Sequence, residues 1–209
     1  MRVTGGWPLA VGLLLLGWLW LGPLPDMARR AFSPHMILHL GVAVTAAPLI
    51  VIGLLRLSPG RGTLRYPVLV AVAASALEFA VVWGWHAPAM HEMAARSHSR
   101  FALQQLSFLV AGIALWWACL AGRTREELAI GGVATLFASM HMAMLGILLI
   151  LAPQLIYAPQ FCLGAFGLRP LADQQLGGGL MALFGTLPFV AAGAWIASRL
   201  ARQEPAGRR

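Results

Sequence analysis

Apolar residues run along this chain in long unbroken blocks, not in the stripes of a soluble helix or the alternation of a half-buried strand. Six blocks stand out: Trp7 to Leu24, His35 to Leu55, Tyr66 to Trp85, Phe101 to Ala121, Leu128 to Ala152 and Gly177 to Leu200. A transmembrane helix needs about 20 mostly apolar residues to cross about 30 Å of hydrocarbon, and each block meets or approaches that length. Short segments rich in Pro, Gly, Arg and acids separate them, among them Ser58-Pro59-Gly60-Arg61-Gly62 and Gly122-Arg123-Thr124-Arg125-Glu126-Glu127. Such segments predict turns at a membrane surface. The blocks are too long for the strands of an outer-membrane barrel, and no linker divides the chain. The expected fold class is all-α, a polytopic bundle of about six transmembrane helices forming one domain over residues 1–209.

Composition agrees and narrows the partners. Of 209 residues, 59% are hydrophobic and 11% charged, against about 25% charged in a soluble domain. The formal charge is +8, and all 15 basic residues are arginine. They sit singly or in pairs beside apolar blocks, which is the pattern of membrane-flanking charge and not of a phosphate-binding stripe. Lipid is therefore an expected partner and nucleic acid is not.

Basic residues are retained on the cytoplasmic side of a membrane. With six spans, Arg2, Arg56, Arg61, Arg65, Arg123, Arg125, Arg199, Arg202, Arg208 and Arg209 share one face, while Arg29, Arg30, Arg96, Arg100 and Arg169 share the other. This bias predicts a multi-pass protein of the bacterial inner membrane with both termini cytoplasmic. Arg2 followed by a leucine-rich run has the form of a signal peptide, but no small-x-small cleavage site follows it.

On that layout every histidine falls in the outer half or near the midplane. His35 opens the second span, and His39 lies one turn deeper on the same helix face. His86 and His91 follow the outer end of the third span, and His98 precedes the fourth. His141 sits near the middle of the fifth span, and Glu78 lies within the third, ~12 Å below His86 at ~1.5 Å per residue. Taken one at a time, His86, His91 and His98 are explained by water or headgroups at the interface. Glu78, His39 and His141 are different, because an ionisable residue in hydrocarbon costs several kcal/mol unless partnered, and so faces the bundle interior and marks a site.

Methionine adds a chemical preference. Met36, Met90, Met93, Met140, Met142 and Met144 flank histidines on the outer half, whereas Met27 and Met181 need no explanation beyond packing. Thioether with neutral imidazole suits Cu(I), a soft cation; zinc draws more on thiolate or carboxylate. The spacing sets Met140, His141 and Met144 on one face, and a Cu(I) site between the second and fifth spans is expected. Its core is His35, His39 and His141, aided by Met36 and Met144, with His86 or His91 as the alternative third nitrogen and Glu78 nearby. Asp173, just before the sixth span, either fixes a ligand histidine's tautomer or caps its own helix at the positive end of the dipole. Cys119 and Cys162 fall on opposite sides and are not expected to form a disulfide.

No Gly-x-Ser-x-Gly elbow, His-Glu-x-x-His, phosphate-binding glycine loop or Cys-x-x-Cys pair occurs, so hydrolytic chemistry has no support and the chain is expected not to be an enzyme. Several motifs do resemble a known family. They are Ser33-Pro34-His35-Met36-Ile37-Leu38-His39 leading to Ala47-Pro48-Leu49-Ile50-Val51-Ile52-Gly53, then Trp85-His86-Ala87-Pro88. Leu106-Ser107-Phe108 through Gly112 to Trp116-Trp117 follows, and the run from Pro170 through Asp173-Gln174-Gln175 to Met181 completes the set. Together they resemble the CtaG proteins, integral-membrane assembly factors of caa-type cytochrome c oxidases, across residues 33 to 185. That resemblance implies a copper-handling role in maturing the oxidase's second subunit, whose copper lies on the outer side. It also leads one to expect a histidine near Gln104-Gln105, which this chain lacks.

The leading expectation is thus a non-enzymatic assembly factor holding copper transiently at an outward-facing site. A membrane electron carrier with haem between His39 and His141 and a copper permease are the alternatives. Oligomeric state stays open, a homo-oligomer included.

Overall fold

The computed structural model describes residues 5–58 and 66–203. Its helices are α1 (Trp7–Leu21), α2 (Leu24–Ala28), α3 (Phe32–Leu40), α4 (Ala47–Leu57), α5 (Pro67–His86), α6 (Pro88–Ala95), α7 (His98–Leu120), α8 (Arg125–Leu151), α9 (Pro170–Phe184) and α10 (Leu187–Arg202). Most begin with proline in the first turn, where the missing N–H has no intrahelical partner to lose. The start of α8 is fixed by a capping box: Glu127 N donates to Thr124 Oγ1 while the Glu127 carboxylate accepts from Thr124 N.

Five segments are long and apolar enough to cross a membrane: Phe32–Leu57, Pro67–His86, His98–Leu120, Arg125–Leu151 and Pro170–Arg202. The expectation of about six spans needs two corrections. The first block stops at Leu21, because Gly22 and Pro23 break the helix; its 15 residues reach only ~22 Å. The last span begins at Pro170 instead of Gly177 and is interrupted at Gly185 and Thr186, where Pro188 has no N–H to continue the ladder.

α3 and α4 form one continuous helix through a π-helical turn, Gly41–Ala46. Within it Ala47 N donates to Val42 O, one residue beyond the α pattern. The next π partner, for Ala43 O, would be the nitrogen of Pro48, which carries no hydrogen. The orphaned carbonyl accepts from Trp116 Nε1 of α7 at 3.0 Å instead, so a local irregularity is satisfied by tertiary contact.

α8 is the central helix, packed by α5, α7, α9 and α10, while α3 lies against α9 and α1 against α4. Contact between α8 and α9 is backbone to backbone. A methyl on Gly146 would stand 2.5 Å from Ala182 N, and one on Gly178 would stand 2.8 Å from Gly146 O. Gly177 and Gly178 thus form a packing surface inside a helix that begins at Pro170, and do not mark its start.

At one end of the bundle Arg125 donates to the carbonyls of Leu200 and Gln203. At the other, Arg29 donates to Ala95 O and the loop amide Leu163 N donates to Arg30 O. The basic residues Arg2, Arg61, Arg65, Arg208 and Arg209, and the turn from Pro59 onward, lie outside the described residues.

Candidate metal centre

Four imidazoles meet where the start of α3, the end of α5 and α6 converge. The turn of helix that stacks His35 over His39 supplies two. The bend at Ala87 and Pro88, between α5 and α6, supplies the others, because it brings both His86 and His91 against His35. Ring centroids lie 4.8 Å apart for His35 and His91, 5.6 Å for His35 and His86, and 5.4 Å for His39 and His86. Each of the four is at most 4% exposed.

Aromatic rings wall the cluster. Phe108 of α7 lies 4.0 Å from His39, and Phe32 lies 5.6 Å from His91. The loop between α8 and α9 covers the cluster, with Tyr157 stacked on Phe32 at 4.7 Å, 4.4 Å from His91, and donating its hydroxyl to His86 O. Glu92 holds this loop down by accepting from Ala158 N at 3.2 Å. Burial, and then the nearby His86, push His91 down to about 3, so its ring is neutral at physiological pH. Burial pushes the Cys162 thiol, in the same loop, up to about 12, with Asp173 adding to the effect.

The hydrogen-bond pattern leaves nitrogens available. His86 Nδ1 lies 2.6 Å from Val82 O, a contact that requires Nδ1 to carry the hydrogen and leaves Nε2 with its lone pair. His86 Nε2, His35 Nε2, both nitrogens of His39 and His91 Nδ1 are buried without a hydrogen-bond partner. Orphaned buried polar atoms are costly, and several pointing into one neighbourhood fit a cation that neutral imidazole ligates well. Among the described residues no three His, Cys, Asp or Glu side chains already stand as a formed coordination shell.

The remaining expected residues fall elsewhere. His141 of α8 is buried, with Nε2 2.6 Å from Glu78 Oε2 of α5; it lies within electrostatic reach of His39 but is not a member of the cluster. The His141–Glu78 contact is short yet not aligned as a hydrogen bond. Met36 is fully buried and turned toward Gly177 of α9. Met140, His141 and Met144 do share a face, lining one cavity with Phe79 and Phe137 on the flank of the bundle, but the thioethers are 63% and 48% exposed there while the imidazole is buried, and the face lies apart from the cluster.

Asp173 does neither of the two things expected of it. Its carboxylate accepts from Phe32 N at 2.7 Å, from Ser33 N at 3.3 Å and from Ser33 Oγ, capping α3 from a different helix. Ala31, the residue before α3, has no side chain able to cap it, and α9 delivers the acceptor. Gln104 and Gln105, where the resemblance leads one to expect a histidine, are buried, with Gln105 Nε2 3.4 Å from Gln104 Oε1. From α7 the cluster receives Phe108 and no imidazole. Tyr157 and Ser33 were missed by sequence reasoning; only the Ser33-Pro34 start of the histidine motif hinted at the second.

Residues 7–203 match the sequence profile of the cytochrome c oxidase caa3 assembly factor family, Caa3_CtaG. The chain belongs to this family. No curated protein and no solved structure matches it. The CtaG match covers all five membrane-length segments, so the imidazole cluster, its aromatic walls and its covering loop all lie within the region that defines family membership.

Proposed function

We propose that this CtaG protein takes up copper as cargo at the cluster of His35, His39, His86 and His91 and passes it to a cytochrome c oxidase subunit during assembly, subunit II being the expected client. The observation that carries this reading is the set of buried, unpartnered ring nitrogens on four adjacent imidazoles. Neutral nitrogen donors in an apolar surround favour Cu(I) over hard cations. Met36, one residue from His35, and Met90, one residue from His91, are the thioethers next to the cluster in sequence, Met36 buried and Met90 36% exposed, while Met144 plays no part in the site. The rings touch one another and the rings of Phe32, Phe108 and Tyr157, a crowding that suits an ion better than a porphyrin. The covering loop, held by Tyr157 and Glu92, is the element whose opening gives a client access. The cluster end of the bundle, bearing Arg29, Arg30, Arg96 and Arg169, faces the periplasm in this reading, and the C-terminus, at the far end of the last membrane-length segment, is cytoplasmic.

The test is a gene deletion complemented by wild type, His35→Ala or His86→Ala under copper limitation. Oxidase polypeptides and haem are expected at normal levels in all strains, with oxidase copper restored by wild type alone. Normal oxidase copper in the deletion strain contradicts the proposal.

A further inference from the structure

The copper reading leaves one buried ionisable pair without a role. Glu78 and His141 are each 3% exposed, and their contact at 2.6 Å joins α5 to α8. At that distance a hydrogen lies between Nε2 and the carboxylate: a neutral imidazole carrying it on Nε2 leaves the pair with one negative charge, and one further proton makes the pair neutral, the form an apolar interior favours when no cation is near. The titratable groups facing it are His39 of α3, within electrostatic reach of His141, and Cys119 of α7, within reach of Glu78. Phe79 and Phe137 pack on His141 and supply no charge. Two other acids near the cluster are committed: Asp173 to the amides of Phe32 and Ser33, and Glu92 to Arg96 and Ala158 N. Neither Glu78 oxygen has an aligned donor.

Four neutral imidazoles offer no negative charge. A cation bound there brings a net positive charge into an apolar interior, which is unfavourable unless a counter-charge lies nearby. The protonated Glu78–His141 pair is neutral and supplies none; without its proton it carries one negative charge. We propose that the Glu78–His141 pair is the proton-exchanging counter-charge of the imidazole cluster, giving up one proton when a monovalent cation such as Cu(I) or Ag(I) is loaded and regaining it on release. One positive charge enters and one leaves as H⁺ to water; the only bond broken is the one holding that proton, and no electron moves. A divalent cation would still leave an excess positive charge, so the same arrangement favours monovalent ions. This inference rests on the metal reading of the cluster.

The experiment is calorimetric titration of the full chain in lipid nanodiscs with Ag(I), in buffers of different protonation enthalpy. Measured between about pH 6 and 8, wild type is expected to release about one proton per ion and therefore to bind more tightly as pH rises. His91, held at about 3, contributes no proton in that range. Glu78→Gln is expected to bind more weakly, with no proton release and no pH dependence. Ag(I) binding by wild type without proton release overturns the inference, as does unchanged release from Glu78→Gln. If Glu78→Gln does not fold, the wild-type proton count decides alone. If wild type binds no Ag(I), the metal reading itself fails, and this inference falls with it.

Discussion

Replacing Asp173 tests how the cluster is held in place. Its carboxylate accepts from two backbone amides and one hydroxyl at the first turn of α3, all buried. Asp173→Ala leaves these three donors without an acceptor. Each unsatisfied buried donor costs about 1–3 kcal/mol, and because the three act as one cap their costs overlap, giving a loss of about 3–6 kcal/mol. Asp173→Asn keeps one carbonyl oxygen and should lose less. Unfolding can be followed with a thiol-reactive dye, since Cys119 and Cys162 are both free and buried. The first turn of α3 carries His35, so Asp173→Ala should also weaken Ag(I) binding although the carboxylate touches no imidazole. An Asp173→Ala protein whose stability lies within about 0.5 kcal/mol of wild type, the range of an ordinary surface change, would refute the capping argument.

Three further outcomes are expected. His91 sits at about 3 in the fold against 6.5 ordinarily, so the unfolded chain binds the proton more readily between those values; the stabilisation is complete above pH 6.5 and is lost as pH falls toward 3. Hydrogen exchange at Ala94 and Ala95 in metal-free protein should accelerate across that window beyond the intrinsic pH effect, and protection that stays constant would contradict the assignment. Gly146→Ala places a methyl 2.5 Å from the Ala182 amide and should cost about 1–3 kcal/mol by forcing α8 from α9, read as a lower unfolding midpoint; a wild-type midpoint would show the contact to be looser than described. For topology, in a variant lacking native cysteines, an impermeant thiol reagent on intact cells should label Ser97→Cys and spare Thr124→Cys. The reverse pattern would invert the orientation.

The apolar blocks make the membrane-spanning helices legible because hydrocarbon tolerates little else at that length. Their ends were less so. Gly177 and Gly178 read as the start of a span, but in place they allow α9 to touch Phe32 and α8, and tertiary contact outweighs the intrinsic cost of glycine in a helix. The His35 and His39 pair follows from helical spacing alone. That His86 and His91 join them depends on the angle at Ala87 and Pro88, which no spacing rule supplies. Spacing alone groups His141 with His35 and His39, because depth along separate helices cannot be compared without their tilt, and the structure pairs it with Glu78 instead. The reach of Asp173 to α3 crosses 140 residues to Ser33. Local reasoning offers only the nearer helix start.

Cu(I) competition against a chelator of known affinity tests the central claim most directly, on detergent-purified chain without a histidine tag. Wild type is expected to withdraw Cu(I) from the chelator. His35→Ala and His86→Ala should each lose more than the roughly 10- to 100-fold typical of removing a residue that only supports a ligand. Met144→Leu, altering a half-exposed thioether on the bundle's flank, should match wild type. Wild-type affinity in folded His35→Ala and His86→Ala, or a loss confined to Met144→Leu, would contradict the site.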